Sequence, residues 1–216
     1  MNVNVTLAIV IITCLVSIPA FSSQKMIDDL IFYPPAIYRR NQWYRFFTCG
    51  FIHADVMHLA FNMYALYAFG NYIEDAFVQV FAGYGRLIYI VLYITSLFFC
   101  LLPTYLKHRD NAYYRSLGAS GAVSAIVFVF IFLFPTEGVG LIFIPGLHIP
   151  GFIFGLIYLI ISSVLAKRGG SHINHSAHFW GAVYGIVFTI VAAYALTDYN
   201  LPQLFLQQVQ DYLGSL

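Results

Sequence analysis

Gly118-Ala119-Ser120-Gly121 opens onto the run Ala122-Val123-Ser124-Ala125-Ile126-Val127-Phe128-Val129-Phe130-Ile131-Phe132-Leu133-Phe134. The run has no charge and no period-2 alternation, so it reads as a helix in hydrocarbon and not as a strand. Ser120 sits at its mouth, between glycines. Two readings of that hydroxyl are open: a helix cap, or a nucleophile held below the membrane surface. Serine among glycine and alanine is ordinary at contacts between membrane helices, so residues elsewhere must decide.

The rest of the chain has the same solvent preference. Of its 216 residues, 61% are hydrophobic and only 9% are charged, where soluble domains average about 25% charged. Such a surface is unsuited to water, so an all-α multi-pass membrane protein is expected, and the length 1–216 suits a single domain. Six apolar segments fall at about 5–21, 57–80, 87–106, 119–134, 151–166 and 177–196, each near the ~20 residues that cross the hydrocarbon. No Lys or Arg precedes the first, which favours a retained span over a cleaved signal. Lys and Arg total 10 against 9 Asp and Glu, a balance that predicts no nucleic-acid partner. The expected surroundings are the lipid bilayer.

Between the first two spans, Ser22 to Val56 is rich in aromatics and carries Pro34, Pro35, Arg39, Arg40, Trp43 and Arg45. It reads as a folded loop in the interface, where such rings are favoured. In the tail, 200–216, Leu201, Leu204, Phe205, Gln208 and Tyr212 recur at helical spacing, which predicts an interfacial amphipathic helix. Cys14, Cys49 and Cys100 are scattered and read as packing residues. Every Lys and Arg except Arg86 falls in the connections after spans one, three and five. By the positive-inside rule that side would be cytoplasmic.

Polar groups at membrane depth are costly, and each needs an account. His58 and Asn62 are four apart, on one face of the second span; a hydrogen-bonded pair that glues helices together accounts for this one pair well, but less well for Ser120 and His178 in spans of matching polarity. Gly118 suits a tight turn that starts a helix at about Ser120, whose first N–H groups would face the hydroxyl and a developing oxyanion. In the sixth span, Gly181 and Gly185 form a small-xxx-small stripe that predicts close approach to the Gly121/Ala125 face of the fourth. His178, about one turn earlier, would then reach Ser120 and exchange its proton. His172, His175 and His178 raise a zinc site as the rival, but no Cys or carboxylate completes a ligand set. Glu74 and Asp75 lie near the end of the second span, where a solvated boundary position is expected.

Taken in order, these residues resemble the rhomboid family of intramembrane serine proteases. Gln42-Trp43-Tyr44-Arg45 stands in the first loop, and His53 precedes His58-Leu59-Ala60-Phe61-Asn62 in the second span, with Glu74 at its end. Gly118-Ala119-Ser120-Gly121 opens the fourth span, and Ala177-His178 with Gly181 and Gly185 follows in the sixth. The resemblance runs from Trp43 to about Gly185. It implies a bundle of six transmembrane helices around a water-filled cavity, with Ser120 as nucleophile and His178 as general base. His58, Asn62 and the Ser120 backbone N–H would form the oxyanion hole. Trp43, Arg45 and Glu74 would hold the first loop and the bundle together, and Gly118, Gly121, Gly181 and Gly185 would support the site. The implied function is an intramembrane serine endopeptidase that cuts transmembrane segments of membrane proteins without cofactor or metal. Similar bacterial proteins lie in the inner (plasma) membrane with the site opening to the extracytoplasmic side, against the basic-residue bias; that outward opening is the expectation here. Many members carry an aromatic four residues after the nucleophile, beneath the histidine ring. This chain has Ser124 there, so His178 must be oriented by another group, with a hydrogen bond from Ser124 as one candidate.

Two other functions compete. A catalytically inactive relative that binds membrane clients would usually lack the serine or the histidine, and both are present. A metal permease would use His172 and His175 and have no need of Ser120; the six spans show no internal repeat of the transporter kind. The natural substrate, the cleavage position and the oligomeric state are not written in the sequence.

Overall fold

A computed structural model describes residues 4–141, 144–168 and 173–216. Helix α1 (Val5–Ala20) is capped by Asn4, whose side chain accepts from Leu7 N at 2.7 Å. Three short helices fold the first loop: α2 (Gln24–Leu30), α3 (Pro34–Arg40) and α4 (Arg45–Thr48). Proline starts α3, and Asn41, with φ 54°, ends it in the left-handed region that asparagine tolerates. Asp55 caps α5 (Val56–Phe81) by accepting from His58 N at 2.8 Å. Then follow α6 (Gly85–Phe99), α7 (Leu102–His108) and α8 (Ser120–Leu133). After α8 come the strands β1 (Gly138–Leu141) and β2 (Ile144–Pro150), and then α9 (Gly151–Arg168), α10 (His175–Leu196) and α11 (Leu201–Gly214).

The chain folds as an all-α rhomboid-like membrane protein. By length and hydropathy the stretches Val56–His108, Gly151–Arg168 and His175–Leu196 are apolar enough to cross a membrane, and α1 and α8 are shorter apolar helices. The expected segments fall on α1, α5, α6 with α7, α8, α9 and α10 to within a few residues, and the tail helix is α11. Two features differ from expectation. The segment read as 87–106 is two helices, because Pro103 falls in the first turn of α7, where it can start a helix but not continue one. Strands were not expected, yet β1 and β2 pair antiparallel, Val139 opposite Ile149, with a register irregularity at Gly140/Leu141.

Helix α8 is the axis of the bundle. Gly121 to Ile126 and Phe128 to Phe132 are buried along it, against α10, α5, α6 and α9. Large apolar side chains that remain exposed line the outer helices, such as Ile11, Leu15 and Ile18 on α1 and Leu156 and Ile160 on α9. This girdle belongs against lipid, since water would penalise it.

Glu74 corrects the boundary reading: it is 2% exposed. Its carboxylate accepts from Val5 N (3.0 Å), Thr6 N (2.9 Å) and Thr6 Oγ1 (3.1 Å), and Arg86 Nε lies 3.2 Å away. An acidic side chain on α5 thus satisfies the orphan N–H groups at the start of α1. Thr6 Oγ1 also hydrogen-bonds the Tyr89 hydroxyl at 2.9 Å, which joins α6 to the cluster. Glu74→Ala strands those N–H groups at a buried site, so a loss of about 3 kcal/mol is expected. Thermal unfolding in detergent should show a clearly lowered Tm; an unchanged Tm would remove this clamp from the account of stability.

Candidate active site: a serine and a histidine in a membrane cavity

Gly118 makes the turn the sequence calls for. Its φ is +110°, and a Cβ there would sit 2.7 Å from His58 Cε1, so both conformation and space demand glycine. Gly118 N donates to Cys49 O at 2.9 Å. Phe32 and Ser116 exchange backbone hydrogen bonds of 3.0 and 3.1 Å, so the first loop holds the approach to Ser120. Helix α8 begins at Ser120, and the N–H groups of its first turn have no intrahelical acceptor.

The closing helix supplies the imidazole. A Cβ on Gly181 would collide with Gly121 O, and one on Gly185 would lie 2.5 Å from Ala125 O. The glycine stripe of α10 therefore rests directly on the backbone of α8, on the Gly121/Ala125 face predicted for it. Gly121 is tight on its other side too, where a Cβ would meet Cys100 Sγ at 2.5 Å. One turn before Gly181, His178 Nε2 lies 2.7 Å from Ser120 Oγ, inside normal hydrogen-bond range. Both side chains line a cavity of about 870 Å³, together with His58 and Asn62. Asn62 Nδ2 donates to His58 O at 2.9 Å, and Ala54 N donates to His58 Nδ1 at 3.4 Å. The His58 proton is then on Nε2, the nitrogen next to Gly118.

His53, named in the motif but given no role, is fully buried beneath the turn. Ser17 Oγ donates to Phe51 O at 3.0 Å and lies 2.8 Å from His53 Nδ1, which fixes the ring's proton on Nδ1. Nε2 is left to accept from Ala119 N at 3.3 Å. Burial first, and the facing His58 second, push the His53 imidazole down from 6.5 to about 3. An unfolded chain takes up that proton near pH 6.5, and the folded chain refuses it until about 3. Stability contributed by neutral His53 is therefore present above pH 6.5 and is lost as the pH falls from there towards 3. Tm is expected to drop between pH 7 and pH 5, with a shallower slope in His53→Gln; equal slopes would exclude His53 as the source.

The supporting residues divide. Arg45 is buried at 6% exposure and donates to Asp28 O (2.8 Å), Ile31 O (2.8 Å) and Gln42 Oε1 (2.6 Å), so it ties the first loop together. Trp43 is half exposed and stacks on Phe46, ring centroids 5.8 Å apart. Glu74 clamps α1 to α5 and does not touch the first loop. Other basic residues of this end are tied down locally: Arg115 lies over the Tyr33 ring and 3.8 Å from Asp28, and Arg39 lies 3.7 Å from Asp110.

Ser124 does not bond His178. Its Oγ lies 2.8 Å from the hydroxyl of Tyr158 on α9, a residue the sequence reading passed over. The Tyr158 ring stands near-parallel to the His178 imidazole, centroids 6.4 Å apart at 23°. The only signal for Tyr158 in sequence is a polar tip in an apolar span, with Ser162 one turn on. Among the described residues no group of three or more His, Cys, Asp or Glu is arranged to hold a metal. His175 faces His178 edge-on at 5.9 Å, and His172 lies outside the described residues.

Comparison with known proteins gives the family. Residues 40–195 match the Rhomboid domain. The chain is 31% identical over 167 residues to RHOMBOID-like protein 12, mitochondrial, of Arabidopsis thaliana, covering 69% of this chain and 46% of that one. It is 26% identical over 182 residues to the putative rhomboid protease YdcA of Bacillus subtilis, covering 81% and 79%. Over 141 residues it is 26% identical to the human presenilin-associated rhomboid-like protein, mitochondrial, covering 63% and 34%. The chain spans about half the length of the plant relative and a third of the human one. The apolar helices and these relatives place it in a membrane, and mitochondrial relatives give no support to a bacterial plasma membrane in particular. The chain belongs to the rhomboid family.

Proposed function

We propose that the protein is an intramembrane serine endopeptidase that cuts transmembrane segments of other membrane proteins. The observation that carries this reading is the 2.7 Å contact between Ser120 Oγ and His178 Nε2 in a cavity at a helix N-terminus. His178 takes the Ser120 proton as Oγ attacks the scissile carbonyl, and the imidazolium then protonates the leaving amine. The oxyanion of the tetrahedral intermediate meets the N–H groups that open α8, the Nε2–H of His58 and the second amide hydrogen of Asn62. Water then enters the cavity and attacks the acyl carbonyl while His178 takes its proton; the imidazolium returns that proton to Ser120 Oγ as the C–Oγ bond breaks and the acid is released. A helical substrate hides its carbonyls in its own hydrogen bonds, so segments that unwind easily are preferred. The site is proposed to open to the extracytoplasmic side; cysteine accessibility at Lys107, in the last turn of α7 on the connection that leads to Ser120, checks that orientation.

The test is reaction of the purified protein with a fluorophosphonate probe and cleavage of a model transmembrane substrate. Labelling and cleavage are expected in the wild type and neither in Ser120→Ala. Cleavage that persists without the Ser120 hydroxyl rejects the assignment. An intact, folded wild type that neither labels nor cleaves points to a client-binding relative.

A further inference from the structure

The imidazole of His178 has two ring neighbours. His175 meets it edge-on from its own helix, and Tyr158 faces it from α9. The Tyr158 ring is itself boxed in by Phe128, centroids 5.3 Å apart, and Phe154, at 6.2 Å. Its hydroxyl is anchored by Ser124 Oγ at 2.8 Å. Gly155, one turn earlier, lets α9 come close: a Cβ there would meet Ile131 Cγ2 at 3.3 Å and Phe128 Cε1 at 3.4 Å. A half-buried tyrosine in a mostly apolar helix is thus pinned at one height, near-parallel to the imidazole.

We propose that Tyr158 is the positioning residue for His178, and that Ser124 on α8 fixes the tyrosine in place. This rests on the reading of Ser120 and His178 as a dyad. Ring faces at this distance and angle restrict how the imidazole tilts, and alignment of Nε2 on Oγ governs the rate of proton transfer. The consequence is a dependence of the dyad on α9. Only Gly151, Gly155 and Ser162 of that helix are buried, so the ring that holds the base rides on a helix mostly exposed to lipid. Seating α9 aligns the dyad; displacing it frees the imidazole to tilt. The Ser124–Tyr158 bond is the latch between the two states.

The test uses Tyr158→Leu, which keeps apolar bulk and therefore the fold, and Tyr158→Phe, which keeps the ring and drops the latch. Nitrogen-15 histidine NMR of the full chain in detergent reads the His178 tautomer and environment, assigned by the signal lost in His178→Ala. Alongside it run the rate of fluorophosphonate labelling of Ser120 and the kcat and KM of substrate cleavage. In Tyr158→Leu the His178 signals should move, labelling should slow by about ten- to a hundredfold, and the loss should fall in kcat. Tyr158→Phe should slow labelling by a smaller amount, about three- to tenfold, because the aligning ring remains while the bond that latches it to α8 is lost; a wild-type rate in Tyr158→Phe overturns the role given to Ser124. Unchanged His178 signals in Tyr158→Leu overturn the proposal, as does a loss confined to KM, which would make Tyr158 a substrate contact. If those signals move while wild-type Ser120 is never labelled, the positioning role stands and the dyad reading fails.

Discussion

Replacing His178 with alanine is expected to lower kcat/KM for a transmembrane substrate by about 10⁴-fold or more, with the fold intact. Without the imidazole, Ser120 Oγ keeps its proton at neutral pH and the leaving amine has no donor, so both halves of the reaction lose their proton carrier. Single losses of a serine–histidine unit fall in this range or above it, and 10⁴-fold is about 5 kcal/mol of transition-state stabilisation. The dyad has no third member to soften the loss: the nitrogen that faces Ser120 is the only base within hydrogen-bond distance of it among the described residues. The measurement is a steady-state comparison in detergent or vesicles, with thermal unfolding to show that the variant is folded. A loss below about tenfold would mean that another group takes the proton.

Gly181→Val should do damage by a different route, smaller in rate but felt in stability as well. There is no room on that face of α10, because the backbone of Gly121 already touches it. A valine must push α10 away from α8, and with it His178 away from Ser120. Overpacking of this kind costs about 1–3 kcal/mol or more, and a shift near 1 Å at the dyad costs about 10²-fold in rate. Tm and labelling rate should therefore fall together. Gly181→Ala should show a smaller version of both. Wild-type values in Gly181→Val would mean that the two helices do not depend on this contact.

Much of this was legible in the sequence because it depends on local spacing. Gly181 and Gly185 are one turn apart, so their meeting with Gly121 and Ala125 follows from helical geometry. Gly118 before Ser120 announced the turn and the helix start. Other features depend on partners far along the chain. Glu74 looks like a boundary residue until α1, some 68 residues away, delivers two N–H groups to it. Ser124 looks like a gap in the family's pattern until α9 supplies the missing ring from residue 158. The β1–β2 hairpin gave no usable signal, since its glycines and prolines punctuate an apolar sequence that alternates poorly.

The length of α8 carries a consequence of its own. At 14 residues it spans about 21 Å, against about 30 Å of hydrocarbon. Because α8 is buried among the other helices, lipid does not meet it directly, and aqueous solvent must descend to reach its start. Turnover should then track acyl-chain length: thin vesicles bring the reacting alcohol nearer bulk solvent, and thick ones sink it, so the host bilayer itself becomes a rate-setting component.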